Sequence, residues 1–354
     1  MDNESPSCRL RDNLKLIAPG TPLRDGLDRI LRGRTGALVV LGINNIVERI
    51  STGGFSVDVP YSPTSLRELA KMDGAIVYDT AADRLVGAGI HLMPDPVIPT
   101  SETGTRHRTA DRVSVQSGLA VLSVSASMST ISLYLDGLRH LVEQSAENLS
   151  RANQALQTLE RYRERLTHLI NRLSTLEVEE QVTIRDFALV AQRMEMVRRL
   201  QLELDGYVVE LGVHGRLLNL QLHELKAGLT DLQGLLEDDY RLDQEPEFGL
   251  AGLRSLDTPG LLDPLLVART IGFSHNEHLD TKITAKGLRQ LAQISRLPSG
   301  YGQRLLEHFG SLQSLFAAST VELLSVEGVG EGRAKIIRDG LTRLAESAFN
   351  DRLD

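Results

Sequence analysis

The chain has 354 residues, a formal net charge of −8, 41% hydrophobic and 4% aromatic residues, and no Trp. That length holds two or three domains, and the acidic balance excludes bulk attraction to nucleic acid, so any such contact needs a local basic arrangement. The single cysteine, Cys8, excludes an internal disulfide framework, and the polar start and the lack of any apolar run of roughly 20 residues fit a cytoplasmic protein with no signal peptide and no membrane partner.

Residues 1–144 mix Gly-bounded β-rich runs with short helical patterns. "GALVVLG" (36–42), "GAIVYD" (74–79), "AVLSVSA" (120–126) and "TISLYL" (130–135) read as strands. "SPTSLRELAKM" (62–72) reads as a helix capped by Ser62 or Thr64. "TRHRTADRVSVQSG" (105–118) reads as a second helix, with Ala110, Val113 and Ser117 on one side and Gly118 as its stop. Strands interleaved with helices predict an α/β layer domain.

Residues 145–285 behave differently. No proline occurs between Pro99 and Pro246, and no glycine between Gly137 and Gly206. Leu149, Ala152, Leu156, Leu159, Tyr162, Leu166, Leu169, Leu173 and Leu176 are spaced by threes and fours, the pattern of a long amphipathic helix with a seam. Further helical patterns follow, so an all-α bundle or spine is expected. The stretches 243–252 and 257–260 read as loop or linker.

Residues 286–354 return to short helices with abrupt Gly turns. "LLSVEGVGEGRAKII" (323–337) fits a helix–hairpin–helix pattern. Gly328 and Gly330 are expected at backbone positions closed to other residues. Val329 plugs the hairpin into its own core, and the next helix begins near Glu331. Backbone N–H groups there, with Gly332, Arg333 and Lys335, suit a DNA phosphate regardless of base sequence. Arg333, Lys335, Arg338 and Arg343 surround a single acid, Asp339. Residues 294–316, with Gly300 and Gly302, look like a degenerate first copy. An αα-hairpin that merely uses Gly to turn fits the same residues.

The common nucleotide, zinc-protease, redox and hydrolase motifs are absent. His275 and His278 are three apart without a third ligand nearby and read as a solvated loop. Asp73, before the 74–79 strand, is by itself an ordinary Asp–Gly turn. Equally, a carboxylate beside Gly74 and Ala75 can approach a metal or a ligand hydroxyl, with room for a flat base or a sugar. The run Gly104–Thr105–Arg106–His107–Arg108–Thr109 is more informative. Basic side chains are disfavoured in a first helical turn, where the macrodipole is positive. A bound anion reverses that sign, and two guanidinium forks suit phosphate oxygens. A polyphosphate cradle plus one Asp for a metal suggests nucleotidyl transfer.

Asp73-Gly74-Ala75 followed by "GTRHRTA" (104–110) resembles the diadenylate cyclase family. "LRDGLDRILRGRTGALVVLG" (23–42), "GGFSVDV" (53–59) and "ELAKMDGA" (68–75) agree, and "LSRANQALQTLERYRERL" (149–166) is similar to actinobacterial members. The resemblance implies a mixed sheet flanked by helices, then the helical spine, then the DNA module. It implies condensation of two ATP into cyclic di-AMP and two pyrophosphates with Mg2+ or Mn2+. Asp73 would hold the metal and help activate the 3′-hydroxyl. Gly74 and Leu92 would lie against the nucleotide, and Thr105, Arg106, His107, Arg108 and Thr109 would cradle the phosphates. Ser125 matches a family serine near the phosphates. Ala126 and Ser127 stand where membrane-linked relatives carry an acidic pair, which leaves a second protein ligand for the metal in question. The family forms homo-octamers with cyclase faces meeting, and branched DNA suppresses synthesis. Two other classes fit part of the chain: a nucleotide-sensing DNA-binding scaffold without turnover, and a coiled-coil assembly device built on the Leu seam.

Overall fold

Gly36 and Gly42 bracket five residues that are all buried, and these form the central strand β1 (Ala37–Leu41). Alternation sends Val39 and Leu41 to one face and Leu38 and Val40 to the other. The computed structural model describes residues 6–241, 249–294, 297–298 and 300–350. The loop expected at 243–248 lies outside the described residues, as do Ser295, Arg296 and Ser299 of the upstream hairpin copy.

Two compact units divide the chain, residues 1–154 with 203–221, and residues 155–202 with 222–354. The helical middle is therefore shared between two bodies and does not stand as a third. The first unit contains α1 (Pro6–Leu16), α2 (Pro22–Arg32), β1, α3 (Asn45–Ile50), β2 (Ser51–Thr52), β3 (Phe55–Pro60), α4 (Pro63–Leu69) and β4 (Ala75–Asp79). It continues with β5 (Arg84–Leu92), α5 (Thr105–Ser117), β6 (Ala120–Ser125), β7 (Thr130–Leu135) and β8 (Leu138–Val142). The four strands and two helices expected here are present. The elements α1, α2, α3, β2, β3, β5 and β8 add to them.

The sheet order is β2-β5-β4-β1-β6-β7-β8, with β3 also pairing β5. β1 runs parallel to β4 and antiparallel to β6, which makes the sheet mixed. One face is covered by α1, α2 and α4, whose Leu14, Ile17, Leu27, Ile30 and Leu66 pack over Val39, Leu41, Ile76 and Leu122. The other is covered by α3 and α5, whose Val47, Ile50, Ala110 and Val113 pack over Leu38, Val40, Val77 and Val121. Each of the buried Leu, Ile and Val side chains among these contributes about 1.5–3 kcal/mol of transfer free energy. Ser62 caps α4 by accepting from Ser65 N–H, while Thr64 accepts from Arg29. Gly118 ends α5 in the left-handed conformation at φ 68°.

Four helices follow: α6 (Ser145–Val178), α7 (Ile184–Leu211), α8 (Arg216–Lys226) and α9 (Leu229–Tyr240). Then come α10 (Thr258–Leu261), α11 (Pro264–Ile271), α12 (Leu288–Ala292), α13 (Tyr301–Phe309), α14 (Leu312–Ala317), α15 (Thr320–Leu323) and α16 (Glu331–Asn350). The loop expected at 257–260 is in fact the short helix α10, because Asp257 caps it and Pro259 sits in its first turn. In the second unit α6 and α7 run antiparallel, with the Arg193 guanidinium 4.7 Å from the Tyr162 ring centroid and Arg172 3.5 Å from Asp186. The seam residues Leu156, Leu159, Leu166 and Leu173 are buried inside this one chain. Among the described residues no helix is long and apolar enough to cross a membrane.

A buried polar centre ties the second unit together. Glu177 at the end of α6 pairs with Arg289 of α12 at 2.6 Å, and their side chains are 0% and 2% exposed. Tyr240 Oη and Gln290 Nε2 donate to the same carboxylate at 2.7 and 2.9 Å. Asp239 accepts the N–H groups of Gly287, Leu288 and Arg289, which caps the start of α12. Replacing Arg289 with Met strips the buried Glu177 of its cation and is expected to cost about 3–5 kcal/mol. Chemical denaturation will show this as a lowered midpoint. Loss of the exposed Lys15–Asp12 pair is expected to leave that midpoint unchanged.

Candidate nucleotide site and C-terminal basic surface

Strand register gathers the site. Leu38 pairs with Ala75 and Ala37 with Val124, while Ala75 faces Ile90 on β5. The starts of β1 and β4 and the ends of β5 and β6 therefore share one edge of the sheet, where the N-terminus of α5 arrives. They enclose a cleft of about 520 Å³. Its walls contain Asp73, Gly74, Ala75 and Leu92 from the strand ends, with Ser125 from β6. Gly104, Thr105, Arg106, His107 and Thr109 complete it from the start of α5. Of the residues singled out for a nucleotide, only Arg108 stands outside the lining. Leu38, Ile90, His91 and Met93 join the walls without having been anticipated. A larger hollow of about 670 Å³ in the second unit is lined by charges of both signs, including Asp238, Arg241, Lys286 and Glu307.

At Gly74 the wall of the cleft is backbone. Gly74 has φ 115°, and a Cβ there would lie 2.6 Å from the carbonyl carbon of Gly89. Gly89 has φ 66°, and its own Cβ would meet Met72 at 3.1 Å. Asp73 is exposed at the rim, and its carboxylate accepts from Gly74 N–H at 3.1 Å. Among the described residues no group of three or more His, Cys, Asp or Glu side chains is arranged to hold a metal. One carboxylate suits Mg2+ or Mn2+ only where a phosphate supplies further oxygens, which is how Mg2+ commonly binds. Ser125 Oγ lies 3.3 Å from Ser127 Oγ.

The start of α5 is electropositive in three ways. Among the described residues no side chain caps Gly104, and no acid stands in the first turn. Arg106 and Arg108 are exposed, and neither has a carboxylate partner among the described residues. The Arg106 guanidinium lies where a Gly36 side chain would be: a Cβ at Gly36 would sit 2.7 Å from Arg106 Cζ. His107 is held by Tyr134, with Nδ1 2.8 Å from the phenol oxygen. Burial, with Arg139 and Arg106 adding to it against the opposing Glu102, pulls the His107 pKa below the usual imidazole value. Free N–H donors, unneutralised guanidiniums and a nearby carboxylate together suit a polyanion accompanied by a divalent cation.

At the other end of the chain Val329 is buried with Leu323, Val326, Ala334 and Ile337, and α16 starts at Glu331 as expected. Gly328 has φ 82° and needs to be glycine. Gly330 and Gly332 do not: a Cβ at either meets nothing within 4 Å, so the expectation that Gly330 is closed to other residues is corrected. Arg333 donates to Gly328 O and lies 4.8 Å from the Tyr301 ring centroid, where Arg304 also converges at 5.4 Å. Arg338, counted above with the basic cluster, spends Nη1 on Phe316 O and Ala318 O. Lys335 is exposed.

Gly36, Tyr134, Arg139 and Glu102 shape the site without forming any local motif. Only the glycine bounding "GALVVLG" was visible in sequence, and then as a strand boundary.

Residues 24–138 match the family described as DisA bacterial checkpoint controller nucleotide-binding, and residues 142–279 match the DisA bacterial checkpoint controller linker region. Relatives named DNA integrity scanning protein DisA are similar along nearly the whole chain. That of Acidothermus cellulolyticus is 53% identical over 350 residues, 97% of this chain and 95% of the relative. That of Kineococcus radiotolerans is 52% identical over 357 residues, 99% of each. That of Streptomyces coelicolor is 52% identical over 350 residues, 97% of this chain and 94% of the relative. The chain belongs to the DNA integrity scanning protein DisA family, and its N-terminal sheet is that family's nucleotide-binding domain.

Proposed function

We propose that the protein is a diadenylate cyclase: it condenses two ATP into cyclic di-AMP and two pyrophosphates, and its C-terminal segment binds DNA. The observation that carries this is the uncapped, acid-free start of α5, bearing Arg106 and His107, on the wall of the cleft whose rim holds Asp73. In this reading residues 1–144 are the cyclase, 145–285 the spine and 286–354 the DNA module, working in the cytoplasm.

The first turn of α5, Thr105 to Thr109, receives the triphosphate, with Arg108 meeting it from the open side. Gly74, Ala75 and Leu92 accommodate the nucleoside, and Ser125 borders the phosphates. Asp73 is the protein ligand for Mg2+ or Mn2+, which would supply charge neutralisation at the phosphates and acidify the attacking 3′-hydroxyl. That hydroxyl gives up its proton to solvent as its oxygen forms a bond to the α-phosphorus of the other ATP, the α–β anhydride bond breaks, and pyrophosphate leaves with its electron pair. One cleft holds one ATP, so two clefts of a homo-oligomer, an octamer by family resemblance, face each other. Met93, on the cleft wall and 68% exposed, supports an approach of that kind.

Backbone contact with DNA is supported by Gly330 and Gly332, where the fold itself does not call for glycine. Their N–H groups stay open to a phosphate beside Arg333 and Lys335. Branched DNA is the expected ligand by family resemblance.

Purified protein with ATP and Mn2+ is expected to yield cyclic di-AMP and pyrophosphate. Asp73→Asn should lower kcat by roughly a hundredfold or more, the scale of losing one electrostatic stabiliser, with an unchanged melting temperature. ATP binding without any turnover would instead favour the nucleotide-sensing scaffold. Gly36→Ala displaces only the flexible end of Arg106, so stability should hold while the KM for ATP rises roughly tenfold, the worth of one charge-assisted hydrogen bond. Gly330→Leu should weaken binding to four-way-junction DNA by about tenfold or more, through lost phosphate contact, and leave basal synthesis intact; electrophoretic mobility shift reads the first and product formation the second.

A further inference from the structure

Behind His107 stands a set of residues that nucleotide binding alone does not require. Tyr134 on β7 has no solvent exposure, and it belongs to the same core cluster as Ala110 and Val113 of α5. Its ring centroid is 6.1 Å from that of His107. Arg139, its cross-strand partner on β8, donates through Nε to Ser132 Oγ at 3.1 Å. Through Nη1 it reaches both Glu102 oxygens, at 3.3 and 3.4 Å. Glu102 lies in the segment that leads into α5. The phenol is thus fixed by the sheet, whereas His107 is a first-turn side chain open to the cleft.

A buried hydroxyl needs an acceptor. The Tyr134 oxygen lies 2.8 Å from His107 Nδ1; the Glu102 carboxylate is the other acceptor near the phenol, and both of its oxygens are engaged by Arg139, which leaves Nδ1 to accept. Burial pushes the phenol pKa up and the imidazole pKa down, which favours the protonated phenol and the neutral ring. A neutral imidazole has one donor and one acceptor nitrogen. With Nδ1 accepting from Tyr134, the ring proton sits on Nε2. The groups around the ring are Tyr134 from β7, Arg139 from β8, Glu102 from the approach to α5, and Arg106 from α5 itself.

Resting on the reading of the cleft as an ATP site, we propose that Tyr134 is a positioning residue of the phosphate grip: it fixes His107 in the Nε2–H tautomer and in the rotamer that offers this donor to the triphosphate. The Glu102–Arg139 pair closes the site behind the phenol. Arg106 then supplies the charge and His107 a neutral, directed hydrogen bond.

The test is steady-state synthesis of cyclic di-AMP by the full chain, comparing wild type, H107A, Y134F and the double variant. Both single variants are expected to lower kcat by roughly tenfold or more, the scale of losing a positioned donor, while Y134F keeps a wild-type melting temperature. Because Tyr134 acts only through His107, the double variant should be no slower than H107A. Wild-type kcat in Y134F beside a crippled H107A would overturn this inference and leave the ATP reading standing. So would a double variant that loses the product of the two single effects. A silent H107A would sink both. Independently of any folding defect, 15N spectra of the wild-type protein, with the His107 signals identified by their loss in H107A, should show a protonated Nε2 and a bare Nδ1; the opposite tautomer would refute the proposal.

Discussion

Every feature of the cleft depends on β1 pairing in opposite senses on its two sides. Parallel pairing with β4 sets two strand starts side by side. Antiparallel pairing with β6, and of β4 with β5, brings two strand ends to the same edge. Both faces of β1 are buried, so a slip of one residue would exchange Leu38 and Val40 with Val39 and Leu41 and mismatch both helical layers. Register is therefore fixed by core packing, and the site inherits its geometry from that packing rather than from contacts of its own.

The cleft end of α5 is unfavourable as an isolated helix start. It carries two unneutralised guanidiniums against a positive macrodipole and lacks a side-chain cap. What holds it is the other end: Ala110 and Val113 are fully buried, Ser117 returns its hydroxyl to Val113 O, and Gly118 closes the helix in the left-handed region. Local frustration supported by a well-packed remainder is the usual signature of a binding site.

How much of this was legible in sequence follows from the range of the interaction involved. Continuous apolar runs such as "GALVVLG" announced the buried strands, and the misplaced charges at Arg106 to Arg108 drew attention to the start of α5, which does line the cleft, because both signals are local. β5 escaped because Gly87 and Gly89 interrupt its pattern where it bulges against β4, and β8 because its edge position leaves Leu138 and Leu141 exposed. Tyr134 and Arg139 were hidden for a different reason. Their importance comes from a cross-strand register and from a helix that arrives at the sheet from elsewhere in the chain. Gly330 illustrates the converse: it has the pattern of a glycine forced by the backbone, yet only Gly328 is so forced. The middle segment was readable as helix residue by residue, but its partition between two bodies depends on tertiary packing that a seam does not encode.

Gly74, on the cleft wall, presses against the Gly89 backbone, and both residues adopt a conformation that disfavours side chains. A Cβ at Gly74 is blocked by the Gly89 backbone, whereas one at Gly89 meets first the movable end of Met72, so the stricter constraint falls on Gly74. Other residues on the walls can drift one at a time and retune the fit to a ligand. The wall at Gly74 can change only by rebuilding the β4–β5 pairing, which makes it the slowest part of the cleft to diverge.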